Sequence, residues 1–241
     1  MGLQSALRLI YPPSCISCDT QLDEEFALCS TCWRDTPFIS GLVCDTCGVP
    51  LPGESDGHNE ICDDCMTIAR PWDRGRAALL YAGNARRLVL ALKHGDRQDL
   101  AVPAASWLMA GLREIRTKNE TVIVPVPAHW TRLISRRYNQ AALLAKEVAG
   151  LAGLPYLPDG LVRRKATKKQ DGMGRDARFA NLANTIFPHQ KRGDQITGKE
   201  VVLVDDVMTS GATLAAAAEA CYGAGATRVC ILALARVAKD D

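Results

Sequence analysis

The chain has 241 residues, of which 47% are hydrophobic and 23% charged, and its formal charge is +2. That length holds one full-sized α/β domain with a small appendage, and the composition favours neither a disordered chain nor a membrane protein. So near-neutral a balance gives no global field toward nucleic acid, membrane surfaces or acidic partners, and any basic surface has to be local.

At the start, Leu3, Ala6, Leu7, Leu9 and Ile10 are spaced like one helix face, with Arg8 among them, before Pro12 and Pro13 interrupt the pattern. This stretch is too short and too broken for a secretory leader, and no run approaches the ~18 apolar residues of a membrane span. A cytoplasmic protein without membrane insertion is the expectation; the sequence specifies no oligomeric state.

Eight of the ten cysteines fall before residue 66 as four C-x2-C pairs: Cys15/Cys18, Cys29/Cys32, Cys44/Cys47 and Cys62/Cys65. Two thiolates separated by two residues grip one metal from a tight turn, and two such pairs complete a tetrahedral four-sulfur site. The intervening stretches of ten, eleven and fourteen residues suit zinc ribbons. Two structural zinc ions follow, with sequential pairing favoured and an interleaved pairing also compatible with the spacing. A closed four-cysteine site has no open position for substrate, so its first role is to hold the fold; a nucleic-acid-binding ribbon is the alternative. Residues 1–70 lack the apolar periodicity for a core of their own, which makes them a zinc-binding unit and residues 71–241 a second domain. His58 reads as a loop residue. Trp33, Phe38 and Trp72 read as core, or as anchors for a partner.

Beyond Trp72, helical spacing appears over residues 86–93, 103–116 and 139–151, and β-branched runs appear over 121–125, 201–204 and 229–233. Their alternation predicts a parallel sheet covered by helices on both faces. Cys221 and Cys230 read as small buried hydrophobes. Residues 161–181 break the pattern and crowd Arg163, Arg164, Lys165, Lys168, Lys169, Arg175 and Arg178 around two glycines, a basic mobile loop. Gly193 to Lys199 matches the G-x4-G-K of a P-loop, but Glu200 stands where a magnesium-holding hydroxyl is needed and the segment enters a strand instead of leaving one.

The strongest signal is the run from Val201 to Thr213. Its apolar start predicts a central strand ended by Asp205 and Asp206, at the sheet edge where carboxylates can accept hydrogen bonds from a sugar. Thr209, Ser210, Gly211, Ala212 and Thr213 follow, small residues whose N–H groups and hydroxyls can converge on a phosphate at the N-terminus of the next helix.

This run resembles the signature of type I phosphoribosyltransferases. Together with the paired cysteines, residues 81–93, Val124-Pro125-Val126-Pro127, Arg137-Tyr138-Asn139-Gln140, Thr167/Gln170, Arg178/Asn181 and Leu234-Ala235-Arg236, the whole chain is similar to the ComF family, which is tied to natural competence and to the use of DNA as a nutrient. The resemblance implies a type I phosphoribosyltransferase-like α/β sheet behind a double zinc ribbon, and binding of phosphoribosyl diphosphate with magnesium. Asp205 and Asp206 inherit contacts to the ribose hydroxyls, and residues 209–213 inherit the 5-phosphate. Pro127, Ala128 and His129 are placed near the diphosphate. Arg163, Lys165 and Arg178 inherit a lid position, from which cations would stabilise a departing diphosphate in catalysis. Arg137 departs from the glycine common at that place. No segment matches a nucleobase-recognition hood. Two readings therefore stand: pentosyl transfer to an unspecified acceptor, or a non-catalytic module that senses the diphosphate or engages single-stranded DNA and DNA-uptake proteins.

Overall fold

A computed structural model describes residues 12–54, 57–94, 97–116, 120–129, 138–164 and 185–238. The amphipathic N-terminal face of residues 3–10 lies outside them. Within them run two one-turn helices, α1 (Ser30–Arg34) and α2 (Asp63–Thr67), then β1 (Arg74–Leu80), α3 (Gly83–His94), α4 (Ala101–Ile115) and β2 (Thr121–Pro125). Next come α5 (Gln140–Ala152), β3 (Leu161–Arg163), β4 (Ile186–Pro188), β5 (Glu200–Met208), α6 (Ala212–Gly223) and β6 (Arg228–Arg236).

Four strands form one parallel sheet in the order β1-β6-β5-β2. In β5, Val201 to Val204 are all wholly buried, as a strand covered on both faces requires. Alternation sends Val201 and Leu203 to a core shared with α6, and Val202 and Val204 to a core shared with α3, α4 and α5. Local chemistry sets the helix ends. Asn139 caps α5 by accepting from the Ala141 N–H at 3.2 Å, and Gly153 ends it in the left-handed conformation, φ 62°.

Three sequence expectations change. The central strand runs on through the acidic pair to Met208 instead of ending at it. Leu161 to Arg163, expected in a basic loop, is a short strand paired antiparallel with β4, with Leu161 and Ile186 buried in the α6 core. β1 had no apolar-run signature, because Arg74, Gly75 and Arg76 open it. The P-loop look-alike is a 3-10 turn, Gly193–Ile196, leading into β5. Glu200, fully buried, accepts from Arg228 Nη1 at 2.9 Å, a structural ion pair at the strand's start.

The ribbons straddle the β1 edge. Ile16 joins the α3–α4 core, whereas Cys44, Cys47 and Trp72 join the α6 core. Along the edge, Leu80 N–H donates to Pro37 O, Ile39 N–H to Ala78 O and Gly75 N–H to Asp45 O, each at 2.9 Å.

Candidate functional site

The loop between β5 and α6 is shaped by one glycine. Gly211 occupies the helix N-cap at φ 80°, and a Cβ there would lie 2.8 Å from Arg70 Nη1, 2.9 Å from Met208 Cε and 3.1 Å from Trp72. Both conformation and space exclude a side chain. No side chain caps α6 through Gly211, and Ser210 Oγ lies 3.4 Å from the Ala212 N–H. The first-turn amides of a 12-residue helix thus end on a loop of small hydroxylated residues, an arrangement suited to an anion.

Asp205 and Asp206 stand beside this loop, in the last four residues of β5. The Asp206 N–H donates to Asp205 Oδ1 at 2.9 Å. Asp205 keeps some exposed surface, but its carboxyl sits deep enough that burial, and then the Asp206 charge, push its pKa up to about 8. Alternation along the strand aims Asp206 toward the opposite face, where Lys93 Nζ from the last turn of α3 reaches its Oδ2 at 3.4 Å. Lys93 is a site residue that its type and helical position alone did not single out.

Neighbouring segments converge on the same sheet end. Val126 N–H donates to Val204 O at 2.9 Å, which sets Pro127 and Ala128, both half-buried, and buried His129 just beyond β2. Asn139 Nδ2 donates to Val126 O at 3.0 Å, Tyr138 Oη to Leu92 O at 2.8 Å, and Gln140 Nε2 to Lys93 O at 3.3 Å. The Tyr138-Asn139-Gln140 run therefore ties the end of β2 to the end of α3 and places Lys93. Arg163 is a buried strand residue, 8% exposed. Lys165, Arg178 and Arg137 lie outside the described residues.

The eight N-terminal cysteines form two sequential tetrads, Cys15/Cys18/Cys29/Cys32 and Cys44/Cys47/Cys62/Cys65, with the sulfurs of each within 4.8 Å of one another. Cys18 and Cys29 sulfurs are 3.7 Å apart, and Cys47 and Cys62 sulfurs 3.6 Å, close to the ~3.8 Å edge of a tetrahedron with ~2.3 Å zinc–sulfur bonds. Backbone N–H groups of Cys29 and Cys62 point at the Cys15 and Cys44 sulfurs, at 3.3 and 3.4 Å, as donors to thiolates do. The donor set and its spacing fit zinc. In the first tetrad a hydrogen bond with Thr20 holds the Cys18 thiol down to about 6, while burial pushes Cys32 up to about 12. Cys221 and Cys230 are buried, and burial raises their thiols to about 12 and about 11.

Trp72, 5% exposed, is core and not an anchor; its Nε1 donates to Thr46 O at 2.6 Å while its ring faces Gly211. Trp33 is 53% exposed and lies over Phe38, ring centroids 4.4 Å apart. A separate cavity of about 520 Å³ lies at the opening half of β1, lined by Asp45, His58, Arg74, Arg76 and Glu114 among others. Its two arginines are already paired, both with Asp45 and Arg76 also with Glu114, so among the described residues it presents no free arginine and the β5–α6 loop is the better candidate site.

Comparison with known proteins matches a double zinc ribbon domain over residues 6–66 and a phosphoribosyl transferase domain over residues 140–240. The DNA utilization protein YhgH of Salmonella typhi is 29% identical over 95% of this chain and 99% of its own length. Competence protein F of Haemophilus influenzae is 28% identical over 83% of this chain and 86% of its own. Among solved structures, the phosphoribosylpyrophosphate synthetase of Mycobacterium smegmatis is 20% identical with a TM-score of 0.36, covering 57% of this chain and 34% of that one.

Proposed function

We propose a ligand for a chain that is a homologue of the DNA utilization protein YhgH and of competence protein F, and that joins a double zinc ribbon to a type I phosphoribosyltransferase-like domain. The ligand is 5-phosphoribosyl diphosphate, taken up with magnesium at the β5–α6 loop. One observation carries this reading: two adjacent carboxylates stand in the last four residues of a buried parallel strand, directly before a small-residue loop that ends on a helix N-terminus and whose Gly211 admits no side chain.

Thr209 to Thr213 hold the 5-phosphate through backbone amides and hydroxyls. Asp205 and Asp206 accept from the ribose hydroxyls, and their oxygens are the hard donors that magnesium prefers. Lys93 pairs with Asp206 and holds its carboxylate oriented. Magnesium, when bound, neutralises charge on the diphosphate; Pro127, Ala128 and His129 lie on the β2 side, where that group would extend. Arg163 on β3 is the described member of the basic set that would stabilise the departing diphosphate; Lys165 and Arg178 share that role on the family resemblance alone. The chain's role is in the use or uptake of DNA, as in the relatives' names, and the acceptor of any pentosyl transfer belongs to that setting. Its compartment is the cytoplasm, where ten unbridged thiols and two thiolate metal sites persist.

Calorimetry with phosphoribosyl diphosphate and magnesium tests the assignment. Wild type is expected to bind, and Asp205→Ala/Asp206→Ala to lose affinity by about 100-fold or more, as hydrogen bonds to charged groups are removed. Equal affinity in the two proteins refutes the site. Turnover of labelled ligand across bases and single-stranded DNA then separates a transferase from a sensor.

A further inference from the structure

Arg236 ends β6 and is 4% exposed. Its Nη1 donates to the carbonyls of Met208 at 3.3 Å, Thr209 at 2.7 Å and Val237 at 2.5 Å, while Nη2 faces Cys47 Sγ at 3.9 Å. One planar fork thus touches both the first residues of the phosphate loop and a ligand atom of the second tetrad. Arg70 reinforces the junction by donating to Ser210 O at 2.5 Å, with its guanidinium 5.4 Å over the Trp72 ring.

Charge gives this contact its meaning. Burying a guanidinium is costly unless something compensates it. Among the described residues no carboxylate forms an ion pair with Arg236, and its buried Nε has no hydrogen-bond partner. Four thiolates on one zinc carry a net charge of −2, so a zinc-loaded second tetrad would supply the anion that faces Arg236. Among the described residues the first tetrad makes no such contact. It is tied instead to α3, where Asn84 Nδ2 donates to Cys32 O at 3.3 Å and to Thr36 Oγ1 at 2.8 Å.

We infer that Arg236 is a positioning residue through which the second zinc site, and not the first, sets the phosphate loop, so that zinc retention by Cys44/Cys47/Cys62/Cys65 and binding of the phosphorylated ligand favour each other. This rests on the phosphoribosyl diphosphate reading. The charge of Arg236 serves the zinc side and its fork serves the loop side. By linkage, a ligand that orders residues 209–213 raises the zinc affinity of the second tetrad, and loss of that zinc weakens the ligand by the same factor.

The experiment exposes the full chain to a zinc-selective chelator, with and without phosphoribosyl diphosphate and magnesium, and alkylates the freed cysteines. Mass spectrometry then follows each tetrad separately, and calorimetry measures ligand affinity. In wild type the ligand slows alkylation of the second tetrad about fivefold or more and leaves the first unchanged. Arg236→Lys keeps the charge without the fork: its second zinc is held within about twofold of wild type, while ligand affinity falls about tenfold. Arg236→Met loses both; should it fail to fold, the wild-type protection assay and Arg236→Lys still decide the matter. Full ligand affinity in Arg236→Lys, or a ligand that protects both tetrads equally or neither, overturns the coupling while leaving the binding reading intact. No ligand binding by wild type overturns the binding reading first, and the coupling with it.

Discussion

The two cysteine tetrads have the same ligands and the same C-x2-C pairs, yet they sit in different surroundings. The first sits over α3 with Cys18 exposed, and its neighbours are the polar groups of Ser17, Thr36 and Asn84. In the second, Cys44 and Cys47 are 0% and 1% exposed, and they pack with Trp72, Met208 and Leu214 under the phosphate loop. Metal-site chemistry alone does not say what a site supports. What the thiolates lean on does.

The largest expected effect separates the tetrads directly. Cys47→Ser should cost more than about 4 kcal/mol of stability and abolish ligand binding, because metal loss here removes core packing as well as a staple. Cys18→Ser, at the exposed corner of the other tetrad, should lower zinc content to one ion per chain while the remaining domain still binds ligand. Metal analysis with calorimetry reads both, and loss of ligand binding in Cys18→Ser would show that the two sites do not divide the work as described.

Gly211→Ala comes next. A Cβ at φ 80° and within 3 Å of Met208 and Arg70 forces the loop to shift, so ligand affinity should drop by about tenfold or more, at a cost of about 1–3 kcal/mol in stability. On the other side of the sheet, Asn84→Ala leaves the Thr36 hydroxyl without its donor and Cys32 O with the Thr36 hydroxyl alone. It should cost a comparable 1–3 kcal/mol, roughly, in denaturant melts while ligand affinity stays at the wild-type value.

Asp205 gives a pH signature of its own. Its folded-state pKa of about 8 lies above the ~3.9 of an unfolded aspartate, so the native state holds a proton that the unfolded chain releases. Stability of the ligand-free protein should therefore fall as pH rises from about 4 to about 8. Magnesium-dependent ligand affinity should rise over the upper part of that window, since the ionised carboxylate is the binding form. Asp205→Asn should flatten both trends, and melts at pH 5 and pH 8 with matched calorimetry check it. The smallest effect belongs to Arg97 and Asp99, whose ion pair is more than a third exposed on each side. Asp99→Asn should change stability by less than about 0.5 kcal/mol.

How far the sequence reveals these relations depends on range. The cysteine pairs, the apolar run of β5 and the small residues after its acids are local patterns, and each stands where its spacing placed it. β1 is hidden because Arg74 and Arg76 are spent on Asp45 and Glu114, and because Gly75 leaves room for Thr46 O, 2.5 Å from where its Cβ would be. Lys93 and Arg236 escape notice as site residues for a related reason: their partners, Asp206 and Cys47, are 113 and 189 positions away. No periodicity reports such a pairing. The short strand at Leu161 was masked by the basic residues after it, and only pairing with Ile186 to Pro188 fixes its conformation.

The seam between Pro37–Asp45 and β1 carries one more consequence. A parallel sheet ends in a row of open amides and carbonyls, and here Pro37, Ile39 and Asp45 already engage part of that row. The ribbons therefore act as a guard rail for the sheet. Stripping their metal would lay bare a strand able to recruit another chain, so a zinc-starved preparation should self-associate before its α/β core melts.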